Sequence, residues 1–301
     1  MDRRYAIVGC GAIGGLYGAR LIAAGHDVTF LVRSGADELR AEGLRLDSVD
    51  GDLVLAPGSF GVATETAAVP PVDVVVVATK ATAAVDVSAL LGGSVTLAVF
   101  QNGLGVEAAA DERSPGAGAV VGALCFVCAA KVGPAHVRHD DYGRVTLAPH
   151  RGGMAATEAI GADLAAAGVE VEVTEDLTTA RWRKLLWNVP FNGLTALLDV
   201  GTDELLAGEA GRALVRSLMD EVVAAGRASG AAIGPDDVEG MLAMTQAMVP
   251  YRTSMALDVV AGRPLEHDAI HGAAVRAGTA AGVAMPRTEA LWRALDVLDH
   301  R

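Results

Sequence analysis

A glycine-rich hexapeptide between a short β-branched run and an alanine-rich run most strongly constrains the fold of the N-terminal half. The sequence GCGAIG, at Gly9–Gly14, follows a strand-like run at Tyr5–Val8 and opens a helix-like run at Ile13–Ala24. In such a unit the glycines permit a tight turn, close approach of a phosphate and close packing of helix on strand. The start of the helix offers free N–H groups and its positive dipole end to the phosphate. The predicted dinucleotide contacts are therefore Gly9, Gly11, Ala12, Ile13 and Gly14. The alternative is a glycine-rich turn that binds no ligand.

The first half of the chain alternates β-branched runs with alanine-rich stretches. Continuous apolar runs such as Val74–Thr79 are typical of parallel strands covered on both faces. The alternation predicts an α/β fold with a Rossmann-type, doubly wound parallel sheet, closed by a short strand at Val169–Val173. The other predicted elements of this half are strands at Tyr5–Val8, Val28–Val32, Val95–Phe100 and Ala119–Leu124, and helices at Ile13–Ala24 and Ala81–Leu91.

The pattern changes at about Thr174, after which strand-like runs become rare. Prolines at plausible first-turn positions and glycines at plausible ends punctuate long amphipathic stretches. We therefore predict two domains, a dinucleotide-binding domain at residues 1–173 and an all-helical domain at residues 174–301. The predicted helices are Asp176–Leu198, Gly208–Ser229, Pro235–Ala261, Pro264–Ala281 and Pro286–Leu298.

Composition excludes several classes of protein. With 51% hydrophobic residues the chain is not disordered. Its formal net charge of −13 argues against binding to nucleic acid or to an anionic membrane. Three cysteines suit a reducing compartment rather than a disulfide scaffold. The apolar runs are too short or too glycine-rich to span a membrane, so we expect a soluble, cytoplasmic protein.

The residues after the second strand bear on the choice of dinucleotide. An NAD site usually has an acidic residue there for the ribose 2′-hydroxyl. This chain has Arg33 and Ser34 instead, which suit a 2′-phosphate, so we predict NADP(H); a solvated surface arginine is the alternative. Lys80 and Asn102 follow two further strands, where ligands of such sheets bind. Each could equally belong to an ordinary helix start or turn.

A polar stripe runs through an otherwise apolar helix of the second half. Lys184, Asn188 and Asn192 are four residues apart and therefore share a face. If buried, they need partners, which points to a binding site; a stripe that faces water is the alternative. Ser254 is followed four residues later by an aspartate on another predicted helix. Glu266, by its position alone, is an acid that complements a helix dipole.

Together these segments resemble the ketopantoate reductases, NADPH-dependent enzymes of pantothenate biosynthesis with a Rossmann domain and a helical domain. The resemblance covers nearly the whole chain. It rests on GCGAIGGLYG, LVRSG, TKAT, QNG, RWRKLLWNVPFNGLTALL, TSMALDVVAGRPLEHDAIHG and GVAMPRTEALW.

The resemblance implies reduction of 2-dehydropantoate (ketopantoate) to (R)-pantoate, with hydride transfer to C2. By that resemblance Lys184 matches the catalytic lysine, which stabilises the developing oxyanion and donates the proton. Glu266 is implied to be the second catalytic residue and to accept from the substrate hydroxyl. Lys80 and Asn102 are implied to lie at the junction of cofactor and substrate and to contact the cofactor. The residues implied to contact substrate are Asn102, Lys184, Asn188, Asn192, Ser254 and Glu266; Asp258 matches an acid near the site.

Other readings of the chain remain open. The same chemistry on another 2-oxo acid, or a non-catalytic NADPH-binding regulator, would share most of these residues. Cys125 and Cys128 have C-x-x-C spacing, and His267 and His271 have the spacing of the zinc motif H-E-x-x-H. Neither pair has enough further ligands for a metal ion, so we expect no metal. The small-molecule substrate is the expected partner. The apolar helical half could hide a homodimer face, although alanine-rich helices also pack within one chain.

Overall fold

The computed structural model describes residues 3–301. It forms two compact units: unit 1 runs to Gln101 and resumes over Val106–Leu177, and unit 2 comprises Asn102–Gly105 and Thr178–Arg301. Within residues 3–301, every helix is too short or too polar to cross a membrane.

Unit 1 is built on a mixed sheet. Its strands, among the described residues, are β1 (Arg4–Val8), β2 (Asp27–Leu31), β3 (Leu44–Ser48), β4 (Leu53–Leu55), β5 (Gly61–Ala63), β6 (Val74–Val77), β7 (Thr96–Val99), β8 (Ala119–Gly133), β9 (His136–Arg151) and β10 (Val171–Val173). They are hydrogen-bonded in the order β4-β3-β9-β8-β7-β6-β1-β2-β5, and β10 pairs with β9. The strands from β5 through β2, β1, β6 and β7 to β8 are parallel. This confirms the predicted Rossmann-type sheet.

The parallel strands are covered on both faces, as their continuous apolar runs predict. On β1, Tyr5 and Ile7 join one buried cluster, which includes Leu16 of the following helix. Ala6 and Val8 point the other way and join a second cluster, which includes Val106. The helices of unit 1 are α1 (Ala12–Ala23), α2 (Ala36–Glu42), α3 (Val106–Arg113) and α4 (Met154–Ala166).

The predicted helix at Ala81–Leu91 is wrong. Apart from a single 3-10 turn at Ser88–Leu90, the segment is irregular. The carboxylate of Asp86 accepts a hydrogen bond from the backbone N–H of Ser88 at 2.8 Å, and the Val87 N–H bonds to the hydroxyl of Ser114 at 3.0 Å. Such local bonds to side chains compete with helical hydrogen bonds, so alanine-rich composition is not sufficient here.

A long antiparallel hairpin, β8 and β9, extends the sheet beyond the predicted strand Ala119–Leu124. Residues inserted between β2 and β5 form β3 and β4, and β3 pairs with β9 at the opposite end of the sheet from β5. Both ends of the sheet therefore lie near α1, which packs against β2 as well as β8, β9 and β3. The short strands β3 and β4 gave no clear period in the sequence.

Unit 2 is helical, as predicted. Its helices are α5 (Leu177–Trp187), which begins at the last residue of unit 1, α6 (Gly193–Leu198), α7 (Thr202–Ala207), α8 (Glu209–Ala228), α9 (Pro235–Ala247), α10 (Ser254–Val260), α11 (Ala273–Ala280) and α12 (Pro286–Asp299). π-Helical turns at Asn188–Asn192 and Asp268–Gly272 precede α6 and α11.

Two of the predicted helices of unit 2 are shorter than expected. The prediction of one helix over Pro235–Ala261 is wrong, because α9 ends before Pro250, which cannot donate a helical hydrogen bond, and Thr253 caps a new helix. The segment that begins at Pro264 becomes helical only at about Asp268. Pro235 and Pro286 do occupy first-turn positions.

Candidate active site

The turn between β1 and α1 in unit 1 has the geometry of a phosphate cradle. Gly9 has φ +96°, a left-handed conformation that favours glycine. A Cβ on Gly14 would lie 1.9 Å from the carbonyl oxygen of Gly9, so only glycine fits there. At Gly11, by contrast, a Cβ would meet no atom within 4 Å. Gly11 thus faces open space, where a ligand can approach the backbone.

The first turn of α1 is free to bind an anion. Gly11 at the N-cap provides no side chain to bond the first N–H groups, and the first turn holds no acidic residue. The first N–H groups of a helix lack intrahelical acceptors. The N–H groups of Ala12 and Ile13 therefore suit the pyrophosphate of a dinucleotide.

The carboxyl ends of β1, β2, β6 and β7 lie side by side, because Val8 is in register with both Leu31 and Val77, and Val77 with Val99. Strand order reverses between β1 and β6, which is the usual ligand position of such sheets. Arg33 follows β2 and is exposed, and Lys80 follows β6 and is half-buried.

Gln101 follows β7 and stabilises the carboxyl edge of the sheet through a hydrogen bond. Its side-chain amide donates to the Thr79 carbonyl at 3.0 Å. The Gln101 side chain therefore fixes the backbone immediately before Lys80. In the sequence, Gln101 is marked only as the first residue of the motif QNG.

In unit 2 the predicted polar stripe is buried rather than solvated. Lys184 lies in the last turn of α5 and is 6% exposed, and Asn188 and Asn192, at the two ends of the π-turn, are each 2% exposed. Asn192 donates from Nδ2 to Oδ1 of Asn188 at 3.3 Å, so the two amides share a face. The water-facing alternative is therefore wrong.

The amide cluster extends to the QNG segment, whose Asn102 belongs to unit 2. Asn188 Nδ2 lies 3.5 Å from Asn102 Oδ1, at the long limit for a hydrogen bond. Gly103, with φ +113°, lets this segment approach the second π-turn, where the Leu104 N–H bonds to the Ala269 carbonyl at 3.0 Å. Within residues 3–301, Oδ1 of Asn192 is buried and accepts no hydrogen bond. Because a buried acceptor without a donor is unfavourable, it favours a ligand that donates one.

The three remaining candidate residues differ in their surroundings. Glu266 is 7% exposed and lies two residues before the second π-turn, so it is not merely a surface acid at a helix start. Ser254 is half-buried at the first residue of α10. Asp258, in contrast, is held by Arg263, whose Nε donates to it at 2.9 Å, which gives this aspartate a structural partner near the end of α10.

A buried chain of hydroxyl groups connects α10 to the first π-turn. The Ala256 N–H donates to Oγ1 of Thr253, which lies 2.7 Å from Oγ1 of Thr195. Thr195 in turn donates to the Phe191 carbonyl at 2.6 Å. Both threonines are 0% exposed. This chain fixes Ser254, next to Thr253, relative to Asn192, next to Phe191. Sequence reasoning missed both threonines, because the two bond to each other across 58 residues of sequence.

His271 supports the same π-turn from the other side. It is 0% exposed, and its Nε2 lies 2.9 Å from the carbonyl oxygen of Val189, to which it donates. Burial lowers the pKa of His271, the bond to Val189 opposes this shift and the charge of His267 adds to it, so that the pKa lies at about 4. His271 is therefore neutral at physiological pH and acts as a fixed donor to the backbone beside Asn188.

The alternative metal readings find no support in the described part of the chain. Among the described residues, Cys125 and Cys128 form no disulfide, and both are buried in β8. The ring of His267 faces the Leu265 carbonyl and Asp296. Within residues 3–301, no group of three or more His, Cys, Asp or Glu side chains is arranged to hold a metal ion.

Comparison with known proteins identifies the family of this chain. The sequence matches the family model "Ketopantoate reductase PanE/ApbA" over residues 5–152 and that of its C-terminal part over residues 176–299. It is 41% identical to a 2-dehydropantoate 2-reductase of Nostoc sp. over 100% of this chain and 96% of the relative. The structure resembles that of 2-dehydropantoate 2-reductase from Geobacter metallireducens, with TM-score 0.90 and 38% identity over 98% of this chain and 99% of that one.

The fold is also shared with a more distant oxidoreductase. D-Mandelate dehydrogenase, solved with NADH and anilino(oxo)acetate, superposes with TM-score 0.88 and 21% identity, over 99% of this chain and 98% of that one. At this identity the likeness concerns the fold alone. The two family matches and the relative at 41% identity show the family as well as the fold. The chain belongs to the ketopantoate reductase family, whose members are pyridine-nucleotide-dependent oxidoreductases.

Proposed function

We propose that this protein reduces 2-dehydropantoate to (R)-pantoate with NADPH. The observation that carries the proposal is the buried cluster of Lys184, Asn188 and Asn192, with an unpaired amide oxygen on Asn192. Two buried amides on the helix face that also carries a buried lysine suit a small, hydroxylated 2-oxo acid. Membership of the family supplies the identity of that acid.

The proposed roles follow from the chemistry of each side chain. When bound, NADPH supplies the hydride for C2 of the substrate. The Lys184 ammonium stabilises the negative charge that develops on the carbonyl oxygen and donates a proton to it. Glu266 accepts a hydrogen bond from the substrate hydroxyl.

The remaining donors of unit 2 orient the substrate. We assign this task to the amides of Asn102, Asn188 and Asn192 and to the hydroxyl of Ser254. Orientation of this kind lowers the barrier because the reacting groups are held in place before the reaction. A regulator without turnover would gain nothing from burying Lys184 among these groups.

The cofactor is assigned to unit 1, and its binding residues are proposed to be the glycine turn with the start of α1, Arg33 and Lys80. Arg33 presents a planar guanidinium suited to a phosphate, at the strand end where NAD sites usually hold an acid. In domain terms, residues 1–173 bind NADP(H), and residues 174–301 hold the catalytic lysine and, together with Asn102, bind substrate. Homodimer formation and a cytoplasmic location stay predictions of the sequence.

Replacement of Lys184 by alanine tests the proposed mechanism. We expect kcat for ketopantoate to fall by about 10²–10⁴, the range for loss of a general acid, while the Kd for NADPH stays near wild type. Arg183→Gln is the matched control, because this neighbouring cation pairs with Asp237 at 2.9 Å. Equal kcat in the Lys184→Ala and Arg183→Gln variants would contradict the role of Lys184.

Replacement of Arg33 by alanine tests the proposed cofactor. The KM for NADPH should rise, whereas the KM for NADH should change little, because only NADPH carries the 2′-phosphate. An unchanged ratio of kcat/KM for the two cofactors would refute the role of Arg33.

A further inference from the structure

The end of the β8–β9 hairpin lies against the loop that follows β2. A Cβ built on Gly35 would lie 3.4 Å from the carbonyl oxygen of Pro134 and 3.9 Å from Nζ of Lys131. Gly35 is two residues beyond Arg33, and its φ of +77° lets the loop turn beneath the hairpin. The hairpin therefore brings the ammonium of Lys131 to the loop that carries Arg33.

The positive charge of Lys131 also influences the glycine turn. Burial raises the pKa of the Cys10 thiol, between Gly9 and Gly11, to about 11, and the positive charge of Lys131 opposes this rise. The lysine thus acts on both loops that a dinucleotide would contact in unit 1.

Neither of the two cations is neutralised by the protein. Lys131 and Arg33 are exposed, and neither forms an ion pair or a side-chain hydrogen bond with residues 3–301. Of the two acids that open α2, Asp37 pairs with Arg40 at 3.2 Å. In a chain with a net charge of −13, two unpaired cations beside one loop favour an anionic ligand.

We propose that Lys131 is a second cation for the 2′-phosphate of NADP(H) and, together with Arg33, determines the preference for this cofactor. The inference rests on the proposed function, because only an NADP(H) site contains this phosphate. Arg33 offers a rigid guanidinium, and Lys131 offers a point charge on a flexible stem, so the two share a doubly charged group. No sequence motif marks Lys131, since it lies 98 residues beyond Arg33, in the β8–β9 hairpin.

Binding of two small probes to the full chain tests this proposal without turnover. Adenosine 2′,5′-bisphosphate carries the 2′-phosphate, and 5′-AMP lacks it but is otherwise the same. Calorimetry should show that Lys131→Gln raises the Kd for the bisphosphate by about fivefold, as expected for loss of one favourable exposed ion pair. The Kd for 5′-AMP should stay within about twofold. Lys131→Arg, which keeps the charge, should restore most of the affinity.

The control is Arg138→Gln, which removes an exposed cation from β9 of the same hairpin, where it pairs with Asp140 at 2.8 Å. If Lys131→Gln and Arg138→Gln give the same Kd for the bisphosphate, Lys131 has no specific role. Equal weakening of both probes by Lys131→Gln would place the contact at the 5′-phosphate and overturn the proposal. If the wild-type protein binds the two probes equally, the NADP(H) assignment itself fails, an outcome visible before any variant is made.

Discussion

Replacement of His271 by glutamine should make the helical unit less sensitive to acid. The imidazole is 0% exposed and donates to the Val189 carbonyl at 2.9 Å. Burial lowers its pKa from 6.5 to about 4. The side-chain amide of glutamine can donate to the same carbonyl oxygen but does not titrate. The variant therefore removes the proton uptake of His271 and keeps a donor to the backbone.

The sign and size of the effect follow from proton linkage. Below pH 6.5 the unfolded chain protonates His271, whereas the folded chain does so only near pH 4. Unfolding therefore takes up a proton in this window, and stability that is fully present above pH 6.5 is lost as the pH falls. At about 1.36 kcal/mol per pKa unit, the loss from this group reaches about 3 kcal/mol below pH 4 and about 2 kcal/mol at pH 5.

Tryptophan fluorescence reports this change selectively, because the three tryptophans, Trp182, Trp187 and Trp292, all lie in unit 2. Urea unfolding at pH 7.5 and pH 5 should show that His271→Gln loses about 2 kcal/mol less than wild type between the two values. His300→Gln, a change at an exposed histidine, serves as control. The same loss in wild type and His271→Gln would refute the claim that His271 is buried in its neutral form.

Two further predictions concern the glycine turn and the buried hydroxyl chain. Gly14→Ala should destabilise unit 1, because its Cβ would fall 1.9 Å from the Gly9 carbonyl oxygen. Gly11→Ala should leave the melting temperature unchanged but weaken NADPH binding. Thermal melts measure the first effect and fluorescence titration the second. Equal melting temperatures for Gly14→Ala and Gly11→Ala would contradict the geometry of the turn. Thr195→Val removes the donor to the Phe191 carbonyl and should lower the unfolding free energy of unit 2 by about 1–3 kcal/mol. An unchanged urea midpoint would show that this bond contributes nothing.

The parallel core of the sheet could be predicted from the sequence, because its strands carry the pattern locally. Val74–Val77 is apolar at every position, and all four residues are buried. The irregular segment at Ala81–Leu91 could not be predicted, because its conformation depends on the bond from Val87 to Ser114, 27 residues away. The β8–β9 hairpin escaped prediction for a related reason, since β-bulges interrupt its period.

The polar stripe of unit 2 shows what residue spacing can and cannot predict. The four-residue interval correctly places Asn188 and Asn192 on one face, as the bond between them shows. Spacing alone could not decide whether this face is buried, because that depends on helices far along the chain. The bond of His271 to the Val189 carbonyl spans 82 residues and is likewise invisible in a local pattern.

The most direct test of the central claim is the oxidation of NADPH by the wild-type protein, followed by the loss of its absorbance. Ketopantoate should be compared with a small panel of other 2-oxo acids, and NADPH with NADH. We expect efficient turnover of ketopantoate alone, with NADPH preferred. NADPH binding without turnover of ketopantoate would contradict the proposed function and direct attention to another substrate.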